Sequence, residues 1–136
     1  MIKSKVLFLC SGNSCRTQMA EAFLRDLAGD RFDVISAGGD PTPLDLEAVD
    51  AMRELGIEMS SQTTKDVSRF FGQRFTYVIS LCNRQEERSC PIFPGAIWRQ
   101  EWDLENPALA PDHSLAVRRV RDQLRQRIAR FVSEYQ

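Results

Sequence analysis

The sequence has no excess of either charge, with 18 Lys and Arg against 19 Asp and Glu and a formal net charge of −1. A chain so balanced carries no broad positive field for nucleic acid or an anionic membrane surface, so any anion site must be built locally. Long hydrophobic runs are also missing. After the basic residues of MIKSKVLFLC, the stretch Val6-Leu7-Phe8-Leu9 is too short for a signal-peptide core or a membrane-spanning helix, which predicts a cytoplasmic protein. Histidine is almost absent. His113 stands alone and no pair of cysteines has Cys-x2-Cys spacing, which argues against a zinc site. No repeat, low-complexity tract or Gly/Ser-rich linker divides the chain.

What is present suits one domain spanning residues 1–136, with 43% hydrophobic and 27% charged residues. Four cysteines are available. In a reducing compartment static staples are disfavoured, which leaves metal binding, catalysis, redox cycling or simple burial.

Val6 to Cys10 reads as a strand buried on both faces, running into the small polar cluster Ser11-Gly12-Asn13-Ser14. Met19, Ala22, Phe23 and Leu27 then recur at helical spacing. Phe32 to Ala37 is a second strand, and Leu46, Val49, Met52 and Leu55 mark a second helix stopped by Gly56. A short third helix is expected over residues 65–72, strands at Tyr77–Leu81 and Ala96–Trp98, and a long last helix from His113. The arginines of that helix, Arg118, Arg119, Arg125 and Arg130, read as a solvated face, and Trp98 and Trp102 as core or rim packing. Strands alternating with helices predict an α/β sandwich of three layers around a four-stranded parallel sheet. Ligands in such sheets bind beyond the carboxyl ends of the strands, where Cys10 and Cys82 both fall.

Cys10-Ser11-Gly12-Asn13-Ser14-Cys15-Arg16-Thr17 sets a cysteine and an arginine at the two ends of a small polar loop between strand and helix. Such a loop can curl its amides around a tetrahedral oxyanion while the guanidinium clasps two of its oxygens. Gly12 eases the backbone, and Asn13 tolerates left-handed angles. The same positive groups favour a thiolate, making Cys10 the candidate nucleophile, with Thr17 or Ser14 as a hydrogen-bond donor to its sulfur. Cys15, at the helix start, reads as inward packing.

The run Cys10 to Glu21 resembles the signature of arsenate reductases built on the low-molecular-weight tyrosine phosphatase fold. The similarity continues through Ser36-Ala37-Gly38, Leu81-Cys82, Cys90-Pro91 and residues 102–107. The resemblance implies reduction of arsenate, with phosphate or sulfate as analogues. In that family a first cysteine attacks arsenic, a second attacks the first to release arsenite, and a third takes over the disulfide for an external reductant. These roles map onto Cys10, Cys82 and Cys90, with Arg16 as the anion clasp. Ser11, Gly12, Asn13, Ser14, Cys15, Arg16, Thr17 and Asn106 form the implied substrate site. The implied partners are thioredoxin or a glutaredoxin/glutathione system, and the protein is expected to be a monomer needing no cofactor.

Were residues 82–90 helical, eight residues at about 1.5 Å each would part the α-carbons by roughly 12 Å. A disulfide tolerates about 7 Å, so the segment must loop out to pair its cysteines. Asn83 to Ser89 contains no apolar side chain, so looping out uncovers little hydrophobic surface. Arg84 and Arg88 are expected either to favour a thiolate at Cys82 or simply to be solvated.

The chain departs from the family pattern, which has one residue fewer between the last two cysteines than the seven found here between Cys82 and Cys90. Where it carries an Asp-Pro whose carboxylate protonates a leaving group, this chain has Asn106-Pro107, and an amide is no ordinary acid. Asp103 and Glu105 are the nearby substitutes. The family also often holds potassium, with ligands matching Asn13, Glu21, Ser36 and Thr63, and Lys65 and Asp66 compete for the position of the acidic ligand that follows. Bracing of the loop by Asn13 and Ser36 is the alternative. Beside the reductase, two readings stay open: a protein-tyrosine or small-molecule phosphatase using Cys10 and Arg16 alone, and a non-catalytic oxyanion-binding domain.

Overall fold

Alternation along the first strand divides the core in two. Val6 and Phe8 join one cluster of buried side chains and Leu7 and Leu9 another, as expected when successive residues point to opposite faces of a sheet. The computed structural model describes residues 2–86 and 90–135. Its elements run β1 (Ser4–Cys10), α1 (Arg16–Ala28), β2 (Phe32–Gly38), α2 (Leu46–Arg53), β3 (Phe75–Ser80), β4 (Ala96–Glu101) and α3 (His113–Glu134). All strand pairs are parallel, in the order β2-β1-β3-β4. The predicted α/β fold with a four-stranded parallel sheet is therefore present.

The layer on one face consists of α1, α2 and α3, whose Met19, Phe23, Met52, Val120, Leu124 and Phe131 pack with Val6 and Phe8. The opposite face is covered by a thinner layer in which Val67, Phe70, Phe75 and Phe93 meet Leu7 and Leu9. Here residues 65–72, expected as a helix, form only a 3-10 turn at Val67–Phe70. The Asp66 side chain accepts from the Ser68 amide at its start, and Gly72 at φ 92° turns the chain away after it.

Other expectations shift with tertiary placement. β3 ends at Ser80, one residue short of the predicted Leu81. Leu27 and Leu46 are exposed: the buried stripe of α1 runs through Leu24 to Ala28, and that of α2 through Ala48, Ala51 and Met52. Trp102 is buried, whereas Trp98 stands exposed on the edge strand β4. Arg125 and Arg130 are exposed, but Arg118 binds Glu54 and Glu47, joining α3 to α2, and Arg119 pairs with Glu105. No described helix is long and apolar enough to cross a membrane.

β1 sits between β2 and β3, so the chain leaves its carboxyl end in one direction and later returns on the other side. Ligands of such sheets bind outside that switch point, which is where the Cys10 loop lies.

Candidate active site

The loop after β1 is held from outside by its carbonyls. Those of Cys10, Ser11, Gly12 and Ser14 accept from the amides of Gly39, Asp40, Thr42 and Asp45 at 3.3, 2.8, 3.0 and 3.0 Å. The Asn13 carbonyl accepts from Gln18 Nε2 at 3.0 Å. A trans peptide places its N–H opposite its C=O, so anchoring these carbonyls to the body turns the amides of residues 11–15 toward the inside of the ring. Asn13 takes the left-handed angle expected of it, φ 52°, and its N–H donates to Cys10 Sγ at 3.0 Å. Gly38 lets the ring close: a β-carbon there would lie 2.7 Å from the Ser11 carbonyl oxygen and 2.9 Å from the Asn13 nitrogen. α1 begins directly afterwards with no side-chain cap, so its unpaired first-turn amides add to the positive end of the loop.

Cys10 is buried at the base of this ring. Thr17 Oγ1 lies 3.1 Å from its sulfur and accepts from Asn13 Nδ2 at 2.8 Å, which leaves the threonine proton directed at the sulfur. Of the two hydroxyls expected to serve Cys10, the structure places Thr17 there. Cys15 is also buried; burial first, then the Asp45 carboxylate, pushes its thiol well above the usual range. It therefore stays a neutral packing group, and any part it takes in anion binding falls to its amide.

Arg16, only 3% exposed, does not face an empty ring. Its Nη1 and Nη2 donate to Glu86 Oε1 and Oε2 at 2.6 and 2.7 Å, and Nη1 also reaches the carbonyls of Leu81 and Leu104 at 2.9 and 3.2 Å. Ser11 Oγ and Asn106 Nδ2 each donate to Glu86 Oε2 at 3.0 Å. The Asn83 amide donates to Oε1 at 3.1 Å. Burial pushes the Glu86 carboxyl up, but the bonds from Arg16, Asn83 and Ser11 outweigh it and hold the group below its ordinary value. Glu86 corrects the expectation of a solvated polar segment between the two later cysteines. Nothing in its sequence context separates it from the adjacent Glu87; only the fold brings it to Arg16.

Cys82 and Cys90 form a disulfide with their α-carbons 6.2 Å apart. Among the described residues of the segment, Arg84–Glu86 is a single 3-10 turn, and the Cys90 amide donates to the Glu86 carbonyl at 3.0 Å. Ser80 Oγ lies 3.1 Å from Cys90 Sγ. Arg84 is exposed, and the expectation for Arg88 lies outside the described residues.

Asn106 caps the 3-10 turn Pro107–Leu109 by accepting from the Ala108 amide. Neither Asp103 nor Glu105 replaces the missing acid; Asp103 is exposed and Glu105 is held by Arg119. Sequence reasoning also missed the link from this turn to the loop. The two ring nitrogens of His113 meet the Pro107 carbonyl at 2.9 Å and Asp45 Oδ2 at 2.7 Å. The Pro107 carbonyl first, and then Asp45, raise its pKa. Asp45 in turn binds the Ser14 carbonyl through its own amide.

The residues beside the loop do not fit a potassium ion. Lys65 Nζ lies 3.7 Å from Glu21 Oε1 and donates to the Thr63 carbonyl at 2.6 Å, so an ammonium already balances the buried acid. Ser36 Oγ donates to Glu21 Oε1 at 2.7 Å, and Asn13 Oδ1 accepts from Gln18 Nε2 and the Lys65 amide. Asn13 and Ser36 are bracing groups. Among the described residues no His/Cys/Asp/Glu cluster is suited to a metal ion.

Residues 5–136 match the family described as low molecular weight phosphotyrosine protein phosphatase. The chain is 38% identical over 135 residues to the arsenate reductase of Bacillus licheniformis, covering 96% of each. To that of Halalkalibacterium halodurans it is 39% identical over 135 residues, again covering 96% of each. Among solved structures it is similar to an arsenate reductase in the phosphate binding state, with TM-score 0.83 and 32% identity, over 98% of this chain and 99% of that one. An arsenate reductase in the oxidized state gives TM-score 0.82 at 30% identity, over 96% and 98%.

Proposed function

The chain belongs to the low molecular weight phosphotyrosine protein phosphatase family, and we propose that it serves there as an arsenate reductase of the cytoplasm. The observation that carries this reading is the Cys82–Cys90 disulfide beside the Cys10 ring. A phosphatase of this design needs one thiol and a proton donor. Reduction of arsenate needs two electrons, and paired thiols supply them. The relatives named arsenate reductase support the same substrate.

In the proposed reaction the ring amides, Ser11, Asn106 and Arg16 hold arsenate over Cys10. The Cys10 thiolate bonds to arsenic and an As–O bond breaks, the departing hydroxyl taking a proton from solvent to leave as water. Cys82 then attacks Cys10 Sγ: an S–S bond forms, the S–As bond breaks with its electron pair passing to arsenic, and arsenite departs. Cys90 attacks Cys82, forming the Cys82–Cys90 disulfide and returning the Cys10 thiolate. An external dithiol, thioredoxin or a glutaredoxin/glutathione system, reduces that disulfide, and one monomer completes the cycle. Asn106, with no proton to give, disfavours aryl phosphate hydrolysis more than arsenate chemistry, because an aryloxide depends more on an acid.

The direct test is arsenate-dependent NADPH oxidation coupled to thioredoxin and thioredoxin reductase, repeated with glutathione and glutaredoxin, and run beside aryl phosphate hydrolysis. Oxidation in either coupled assay is expected. Silence in both with rapid ester cleavage would overturn the reading in favour of a phosphatase.

A further inference from the structure

Three side chains expected to bind the substrate oxyanion, Ser11, Arg16 and Asn106, converge on one carboxylate. Glu86 presents two oxygens to the Arg16 guanidinium as an oxyanion would, in the forked geometry that makes such pairs strong. It also lies within the segment closed by the Cys82–Cys90 disulfide, so its position is tied to the redox state of that pair. We propose that Glu86 is a built-in surrogate for the oxyanion: with the Cys82–Cys90 disulfide closed, its carboxylate takes arsenate's place on Arg16, Ser11 and Asn106 and shuts free oxyanion out of the oxidised enzyme.

The inference rests on the reading of the Cys10 loop as an oxyanion site. Its physical basis is the burial of Arg16. Once product leaves, a guanidinium that is 3% exposed faces the cost of an unpaired buried charge. Glu86 supplies the counter-charge, at 7% exposure and with both oxygens bonded. Two anions cannot share these donors, so oxyanion binding and the closed form exclude one another. Such coupling is reciprocal: if closure weakens phosphate binding, phosphate must favour reduction of the disulfide by the same factor. The consequence for turnover is that the spent enzyme does not hold new arsenate while it awaits its reductant.

Inorganic phosphate is a suitable probe because its binding needs no turnover. Titration calorimetry on the full chain is expected to show phosphate binding at least about tenfold weaker to the oxidised than to the dithiothreitol-reduced protein, within the usual range of coupling. Glu86→Gln removes the charge but keeps the shape, and should bring the two affinities to within about threefold of each other. Equal affinities in the unmodified protein would overturn the proposal, as would a deficit that survives in Glu86→Gln. A second measurement needs no variant: the midpoint of Cys82–Cys90 in dithiothreitol redox buffers should shift toward the reduced form as phosphate is added. An unchanged midpoint at saturating phosphate would also overturn it. Failure of arsenate turnover with phosphate exclusion intact would count against the reductase reading alone.

Discussion

The Cys10 ring and the Cys82–Cys90 segment follow the carboxyl ends of neighbouring strands but are fixed by different means. The ring is specified by backbone: carbonyls at 10, 11, 12 and 14 are anchored to the β2–α2 connection, and Asn13 and Gly38 are chosen for their angles and size. Among its described residues the segment has a short 3-10 turn held by its own Asn83, a disulfide between its own ends, and a buried carboxylate that depends on Ser11, Arg16 and Asn106 elsewhere. An anion cradle must be organised before its ligand arrives, whereas a thiol relay must change partners in every cycle. On the proposed function, the difference in construction follows from that difference in task.

Removing the proposed nucleophile should have the largest effect and treat both regions alike. Cys10→Ser is expected to lower arsenate reduction and any ester hydrolysis by 10³-fold or more, since no other thiol lies in the ring as a reactive group. Cys82→Ser separates the regions: multiple turnover stops, while phosphate binding and residual ester hydrolysis persist. Undiminished arsenate turnover in that variant, followed by coupled NADPH oxidation, would break the comparison.

A smaller effect sharpens the claim that the ring is a backbone structure. Gly38→Ala must push the Ser11 carbonyl and the Asn13 nitrogen outward, and a displacement near 1 Å is expected to cost about 10²-fold in turnover. Its Tm should fall as well. Thr17→Val removes the hydroxyl between Cys10 Sγ and Asn13 Nδ2, and a loss of about 1 kcal/mol in stability is expected from denaturant titration.

The smallest effect probes the strut joining the ring to the Asn106 turn. The pKa of His113 is raised above its ordinary 6.5, so the stabilisation from its protonation is complete below that pH. It is lost as pH rises through the raised value. The Tm advantage of the unmodified protein over His113→Gln should therefore be greatest in mild acid and shrink toward alkaline pH. A difference that grows with pH would remove the charged contact as its source.

Most of the ring was legible in sequence because its chemistry is local. A strand end, small polar residues, an asparagine suited to left-handed backbone and an arginine opening a helix lie within eight consecutive residues. The alternation of strands with helices likewise announced the parallel sheet, even where single positions such as Leu27, Leu46 and Trp98 fell outside the core. Sequence spacing also said that the segment between Cys82 and Cys90 must leave helical geometry to be bridged. It did not say where the charges of that segment would go.

The sequence by itself determined that Cys10 and Arg16 end one small polar loop and that strands alternate with helices, because each is a matter of residue type and short-range spacing. Only the tertiary structure decided that Glu86, 70 residues from Arg16, pairs with it; that Lys65 answers Glu21; and that His113 joins Asp45 to Pro107. Those pairings join segments distant in sequence. They form because a buried charge must find its counter-charge among whatever groups the folded sheet brings within reach.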